Sequence, residues 1–329
     1  MSFPKSLEGR LSLPVIGAPL FIVSGPDLVI AQCKAGIVGS FPALNARPQP
    51  VLDDWLKRIK DELGAFAEEN PTLPVAPFAV NQICHASNDR LMQDMELCVK
   101  HEVPIIITSL RPPAEVVEAV HGYGGLLFHD VINVRHARKA AEQGVDGLIL
   151  VCAGAGGHAG ALSPFALVRE VKQWFDGAIL LSGSIADGWS IAAAIAMGAD
   201  LAYVGTRFIA TEEANANQDY KQMLIDHAAK DVVYTSLFTG VRGNYLSPSV
   251  AAAGLDPENL PEADKSKMNF GSGGNMKQKA WRDIWSGGQG IGVIHDAPPT
   301  CDVVARLKQE FTEARASLSS RTTAYPAGA

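Results

Sequence analysis

Several features that would place this chain in other protein classes are missing from it. No apolar run approaches the ~20 residues that a membrane-spanning helix needs, so no transmembrane segment is expected. Residues 1–11 carry charge and lack an apolar core, so no signal peptide is expected. No long Lys/Arg cluster occurs and the net charge is −7. That balance argues against nucleic acid and against anionic membrane surfaces as partners. The five cysteines are odd in number, widely spaced and form no C-x-x-C pair. This pattern fits a reduced, cytoplasmic protein and argues against a structural zinc site, so no metal is expected. Low-complexity tracts and long internal repeats are absent as well.

What is present is apolar material in short runs. The chain of 329 residues is 47% hydrophobic and 19% charged, enough for one large core or two smaller ones. Apolar runs at 15–18, 37–41, 75–80, 105–109, 126–131, 148–152, 179–182 and 201–204 read as strands. Segments of helical pattern lie between them, at 27–34, 52–68, 89–99, 114–120, 134–143, 163–174 and 187–197. Ser163-Pro164 reads as an N-cap with proline at the first helical position, and Asp187 as a second N-cap. Gly144 and Gly198 each sit where a helix ends on a left-handed residue.

Strands alternating with helices imply right-handed crossovers and a parallel sheet. Eight such units favour an α/β chain folded as a (β/α)8 TIM barrel over 1–211, with an open doubly wound sheet as the rival. A final helix over 297–318 completes the barrel, and 319–329 reads as a flexible tail. Residues 212–296 break the pattern and are too long for an ordinary loop. They read as a small, mainly helical cap after the eighth strand, with helices over 212–230 and 277–284.

In such folds ligands bind beyond the C-terminal ends of the strands. The sixth strand runs into Gly154-Ala155-Gly156-Gly157-His158-Ala159-Gly160. Its G-x-G-x-x-A spacing matches a dinucleotide fingerprint, but that fingerprint belongs to the first βαβ unit, and five units precede it here. His158 could be a catalytic base, a hydrogen-bond donor to a ligand, or a polar turn residue. His129-Asp130 ends the fifth strand, and His129 is a weaker candidate for the mouth. Gly183 and Ser184 follow the seventh strand, and Gly205 and Thr206 follow Val204 at the end of the eighth. Loops in those two places commonly build a phosphate site from backbone amides. Arg207 either pairs with that phosphate or is salt-bridged within the barrel. Asn81 and Ser109 close the third and fourth strands and could hydrogen-bond a heterocycle. Tyr220, Tyr234, Phe238, Tyr245, Phe270, Trp281 and Trp285 either wall a pocket for a flat ring or form the core of the cap.

These pieces together resemble the nitronate monooxygenase family, formerly called 2-nitropropane dioxygenases. Ala18-Pro19-Leu20 resembles its A-P-M, 153–160 its E-A-G-G-H-x-G loop, and 182–188 its S-G-G-I-A-D-G. Residues 204–208 resemble M-G-T-R-F, and 286–290 resemble the late S-A-G-Q segment. The resemblance implies non-covalent FMN. Ser184, Gly205 and Thr206, together with Gly183 and Val204, would hold its phosphate. Pro19, Leu20, Asn81 and Gly156 would line the flavin, Gln289 would sit near the ring, and His158 would be the active-site histidine. The implied reaction takes a nitronate or nitroalkane and dioxygen to a carbonyl compound and nitrite, with a homodimer left open. Three positions depart from the family pattern. Val151 stands where glutamine is usual, Ala155 where glutamate is, and Ser184 where the second glycine is. The fifth-strand lysine common in such barrels is not evident. Two other readings stay open: an FMN-dependent NAD(P)H:quinone or enoyl-thioester reductase on the same barrel, and a non-catalytic flavin- or phosphate-binding barrel.

Overall fold

The computed structural model describes residues 4–111, 114–262, 284–323 and Tyr325. Its strands, in chain order, are β1 (Val15–Gly17), β2 (Gly39–Pro42), β3 (Phe78–Cys84), β4 (Ile105–Leu110), β5 (Leu126–Val131), β6 (Gly147–Val151), β7 (Gly157–His158), β8 (Ala178–Ser182) and β9 (Leu201–Val204), followed by β10 (Val232–Thr235) and β11 (Gly243–Leu246). Eight of them form one sheet in the order β1-β9-β8-β6-β5-β4-β3-β2. A parallel bridge from Ile16 to Val38 joins the two ends of that order and closes the barrel. The bridge is fixed by Gly17 N donating to Val38 O at 2.8 Å and Val38 N to Val15 O at 3.1 Å. The expected (β/α)8 barrel is therefore the observed fold.

Side chains alternate along each strand, so each strand feeds two cores. Ile16, Ala79, Ile105, Ile107, Phe128, Ile149, Leu180, Leu201 and Tyr203 pack together inside the barrel. Val15, Val80, Ile106, Leu127, Leu148, Ile179, Ala202 and Val204 face outward into the larger core under the helices. These runs carry apolar residues at both parities because both faces are buried.

The barrel helices are α1 (Pro26–Lys34), α2 (Val51–Glu69), α3 (Leu91–Lys100), α4 (Ala114–Gly122), α5 (Val134–Ala141), α6 (Pro164–Val171) and α7 (Gly188–Met197). Asp187 caps α7 by accepting from Ser190 N at 2.7 Å, and Gly198 ends it at φ +110°. Ser163 precedes Pro164 as expected but makes no side-chain capping bond. β3 begins and ends later than the expected 75–80, so Asn81 lies within the strand instead of closing it. Its side-chain amide nitrogen donates across the sheet to β4, which lets a polar residue sit within the strand.

The segment after β9 holds α8 (Thr206–Ile209), α9 (Gln218–Asp226), β10, β11 and α10 (Ser247–Ala252). Beside these helices a three-stranded antiparallel sheet, β10-β11-β7, runs through the described part of the expected cap, a feature the sequence reading did not include. β7 is the glycine turn after β6, and the contact is close. A Cβ at Gly243 would lie 2.6 Å from Gly157 O, so only glycine lets β11 lie beside β7. The helix expected at 277–284 falls, apart from Ile284, outside the described residues, as do Phe270 and Trp281. Among the described residues, no helix is long and apolar enough to cross a membrane.

α11 (Thr300–Thr322) runs past the expected end at 318, so the chain is still helical over the first residues of the expected tail. It packs across α1 and α7, and its contact with α7 is tight. Gly188 N donates to Glu310 Oε2 at 2.8 Å. A Cβ at Gly188 would collide with Phe311 N and lie 2.5 Å from Leu307 O. Gly188→Ala is expected to force α11 away and to destabilise the fold by roughly 1–3 kcal/mol. Urea denaturation checks this, and an unchanged midpoint would show that the contact is not a tight one.

Candidate active site

The inward-facing parity sets what meets at the barrel mouth. Continuing the series Ala79, Ile107, Phe128, Ile149 and Leu180 by two residues gives Asn81, Ser109, Asp130, Val151 and Ser182. All five line one cavity of about 720 Å³, within the range of small-ligand sites. The same cavity touches Ala18, Pro19 and Leu20 after β1, Gly154 to His158, Gly183 and Ser184 after β8, and Gly205 and Thr206 after β9. The two sequence-distant glycine loops and the β1 loop are thus brought together. Val204 does not join them. It has outward parity, is buried at 1% exposure, and only its carbonyl acts locally, accepting from Ala18 N at 2.8 Å. Gln289 does not line the cavity either, although Ser286, Gly288 and Gly290 do. Its N–H donates to Gly154 O at 2.9 Å, and its side chain lies against Gly154.

The loops after β6, β8 and β9 and the 286–290 segment form a tight backbone cradle. Gly154 O accepts from Ser184 N at 3.3 Å as well as from Gln289 N. A Cβ at Gly156 would sit 2.8 Å from Thr206 Oγ1 and 2.9 Å from Gly288 N. Gly183 has φ +139°, and a Cβ there would lie 2.7 Å from Ala153 O. Ser184 occupies φ +57°, where glycine is the easier residue, so its hydroxyl is held in the cradle at some backbone strain. Thr206 Oγ1 accepts from Gly288 N at 3.0 Å and keeps its own hydrogen to donate. Arg207 takes no part. It is buried and donates to Ala210 O and Asp296 O, both at 2.9 Å, which settles it as a structural arginine.

His158 lies in β7, where pairing with Gly243 fixes its backbone. His158 Nε2 shares a hydrogen bond of 2.9 Å with Thr239 Oγ1, which also lies 3.0 Å from Val241 O. Burial pushes the ring down to about 4, so it is neutral at pH 7.

The fifth strand reverses an expectation. His129 points outward, is buried, and shares a hydrogen bond of 2.8 Å with Thr108 Oγ1 through Nδ1. It is not at the mouth; its neighbour Asp130 is. Asp130 is hydrogen-bonded by Ser109, and Asn81 Nδ2 donates to Ser109 Oγ at 2.9 Å and to Ile107 O at 3.3 Å. A polar chain therefore crosses β3, β4 and β5, and Asn81 keeps its carbonyl oxygen for a ligand. Burial raises the Asp130 carboxyl to about 6, against the lowering effect of its hydrogen bonds. Its charge also helps to raise Tyr203, after burial itself, and Cys84, after burial and Glu115. Asp130, Tyr203 and Arg47 line the cavity but were not singled out from the sequence as mouth residues. The first two could have been found by carrying the two-residue alternation to the end of each strand. On the cap side, Tyr220 and Trp285 stack at 5.0 Å and line the cavity with Tyr234. Phe238 and Tyr245 instead pack on each other at 4.8 Å in a separate small core.

A closed barrel with a glycine cradle, an anchored histidine and an aromatic wall at its C-terminal mouth defines an enzyme of the (β/α)8 class. A nitronate monooxygenase family model matches residues 26–310. The chain belongs to the nitronate monooxygenase family, a family of flavin-dependent oxidoreductases. It is 26% identical to a nitronate monooxygenase of Paraburkholderia phytofirmans, over 91% of this chain and 92% of that one. Among solved structures, nitroalkane oxidase from Streptomyces ansochromogenes superposes with a TM-score of 0.79 at 23% identity, covering 95% of this chain and 100% of that one. FabK from Thermotoga maritima superposes with a TM-score of 0.75 at 21% identity, covering 97% and 100%. The two superpositions bear on the fold.

The Asp130 carboxyl makes a signed prediction. Its pKa in the folded state is raised, so its contribution to stability is full below the unfolded value near 4 and is lost as pH rises through about 6. Asp130→Asn should raise the melting temperature at pH 8. The gain corresponds to at most about 3 kcal/mol, lessened by water in the cavity, and falls to roughly half that at pH 5. Equal shifts at both pH values would show that the carboxylate is not desolvated.

Proposed function

We propose that this chain oxidises alkyl nitronates with FMN and dioxygen, giving a carbonyl compound and nitrite. The observation that carries the proposal is the anchored, neutral His158 in the wall of the cavity that also holds the glycine cradle. The residues fit FMN. The cradle exposes backbone where a Cβ would fill the space, and Ser184 and Thr206 add hydroxyls for a phosphate. Gly183, Gly205 and Gly156 keep side chains out of it. Among the described residues no basic side chain is committed to the cradle, so backbone amides would carry the phosphate. Pro19, Leu20, Tyr220 and Trp285 offer apolar surface to a flat ring, and Asn81 offers an acceptor to a ring N–H. When bound, the flavin would take electrons from the substrate and pass them to dioxygen.

His158 acts in this scheme as a neutral group. A nitronate is already an anion, so it needs no base. A neutral nitroalkane must first lose a proton, and an imidazole whose conjugate acid titrates near 4 is a weak acceptor for it. The site therefore favours nitronates over neutral nitroalkanes. Val151 in place of glutamine leaves the cavity wall apolar at that position, and the polar chain ending at Asp130 lies on the neighbouring strand.

The purified protein is expected to be yellow and to release nitrite from propionate 3-nitronate in air. Its flavin should not bleach when mixed anaerobically with NADH or NADPH. His158→Asn should keep its flavin and lose turnover of nitroethane more than of ethyl nitronate. Rapid bleaching by a nicotinamide would move the assignment to a reductase, and a protein that takes up no flavin would end it.

A further inference from the structure

We propose that Arg47 forms an anion-binding subsite in the cavity wall, one that receives a carboxylate or phosphate at the far end of the substrate. The proposal rests on the nitronate reading only for the identity of that substrate. Four side chains that can carry positive charge line the cavity: Arg47, His136, His158 and Arg242. Arg242 is paired with Glu262 at 2.9 Å. Burial lowers both imidazoles, and for His136 the charges of Arg135 and Lys139 add to it. Arg47 is the remaining cation, and it pairs with no carboxylate among the described residues. The acids on nearby elements are engaged elsewhere. Asp27 is held by Arg58 at 2.6 Å, and Asp94 by Arg90 at 3.0 Å.

The guanidinium is also preorganised. Its Nε donates to Leu44 O at 2.8 Å, and its plane lies over the Phe21 ring at 5.5 Å. Its Nη groups make no hydrogen bond among the described residues. The loop beneath it is tied down on both sides. Asn45 Nδ2 donates to Leu20 O at 2.9 Å and Ser24 O at 2.8 Å, while its Oδ1 accepts from Ile22 N at 2.9 Å. Arg90 Nη1 donates to Ala46 O at 2.9 Å. Ile22 is held at φ +68°, a conformation that a β-branched residue takes only when its surroundings impose it. The loops after β1 and β2 are thus stapled together around one cation.

Arg47 is solvent-exposed where it lines the cavity, and partial loss of hydration together with the nearby Arg90 charge still lowers its affinity for its own proton. An oxyanion with two acceptor oxygens relieves this through the pair of free Nη groups. A carboxyl-bearing nitronate and a phosphate-bearing coenzyme both supply such a group.

Calorimetric titration of the purified full-length protein separates these sources and needs no turnover. Succinate represents the carboxylate, coenzyme A the phosphate, and succinamide is the uncharged control. Succinate binding should weaken at least about tenfold in Arg47→Gln, a loss of about 1.4 kcal/mol, and recover in part in Arg47→Lys. Succinamide should not distinguish the variants. If coenzyme A binding is lost in place of succinate binding, the anion is a phosphate. The subsite is overturned if wild type binds neither anion, or if Arg47→Gln binds both as wild type does. Should Arg47→Gln melt early, Arg47→Lys decides, because a role confined to the Leu44 hydrogen bond would leave the retained charge without effect on succinate. Nitrite release with anion binding unaltered removes the subsite and keeps the nitronate reading. Arg47-dependent anion binding without nitrite release does the reverse.

Discussion

The two-residue period of a β-strand, combined with closure of the barrel, governs most of this molecule. Once Ile16 bridges Val38, each strand has an inside and an outside. Inside positions below the mouth are filled with apolar side chains that exclude water. The next inside position on each strand becomes a wall of the cavity. A single step along the chain exchanges the two environments. That is why Asp130 faces the ligand space while His129 is buried under the helices, and why Tyr203 lines the cavity while Val204 does not.

The cap depends on a second constraint, the absence of side chains where backbones cross. Gly243 lies against Gly157, and Gly156 lies against Thr206 and Gly288. These contacts turn the loop after β6 into a strand of the cap sheet. The pairing fixes His158, and Thr239, carried on the same sheet's connection, fixes its ring. The withdrawal from water that keeps the imidazole neutral comes from the same packing.

Much of this was legible in the sequence, for physical reasons that also mark the limit. The eight strands and their helices were readable because burial on both faces leaves continuous apolar runs, and glycine at 144 and 198 marks helix ends. The cradle at Gly183, Ser184, Gly205 and Thr206 was readable because close backbone approach demands small residues at fixed places after strands. The joining of β7 to β11 was not, because it pairs His158 with Gly243 and Gly157 with Asn244, far apart in sequence and without apolar patterning. Gln289 is instructive for the same reason. The family resemblance implied a place near the ring, but its backbone is used to hold Gly154, and its side chain is not among those lining the cavity. Arg47 carried no sequence signal at all, since its exposure to the cavity is created by the Asn45 staple.

The charges of the cavity follow from these placements and point one way. The histidine is neutral, Arg242 is compensated, and Asp130 is drawn toward its protonated form by burial. A site in that state offers little repulsion to an anion at moderate pH, and one cation on the β2 side attracts it. As the pH rises past about 6, Asp130 becomes charged and its side of the cavity turns against any anion. The same carboxyl therefore couples fold stability and anion acceptance in the same direction, both favoured when it holds its proton. The family's usual glutamine and glutamate are absent at Val151 and Ala155. In their place this chain keeps an uncharged histidine wall and concentrates its polarity in the chain from Asn81 to Asp130.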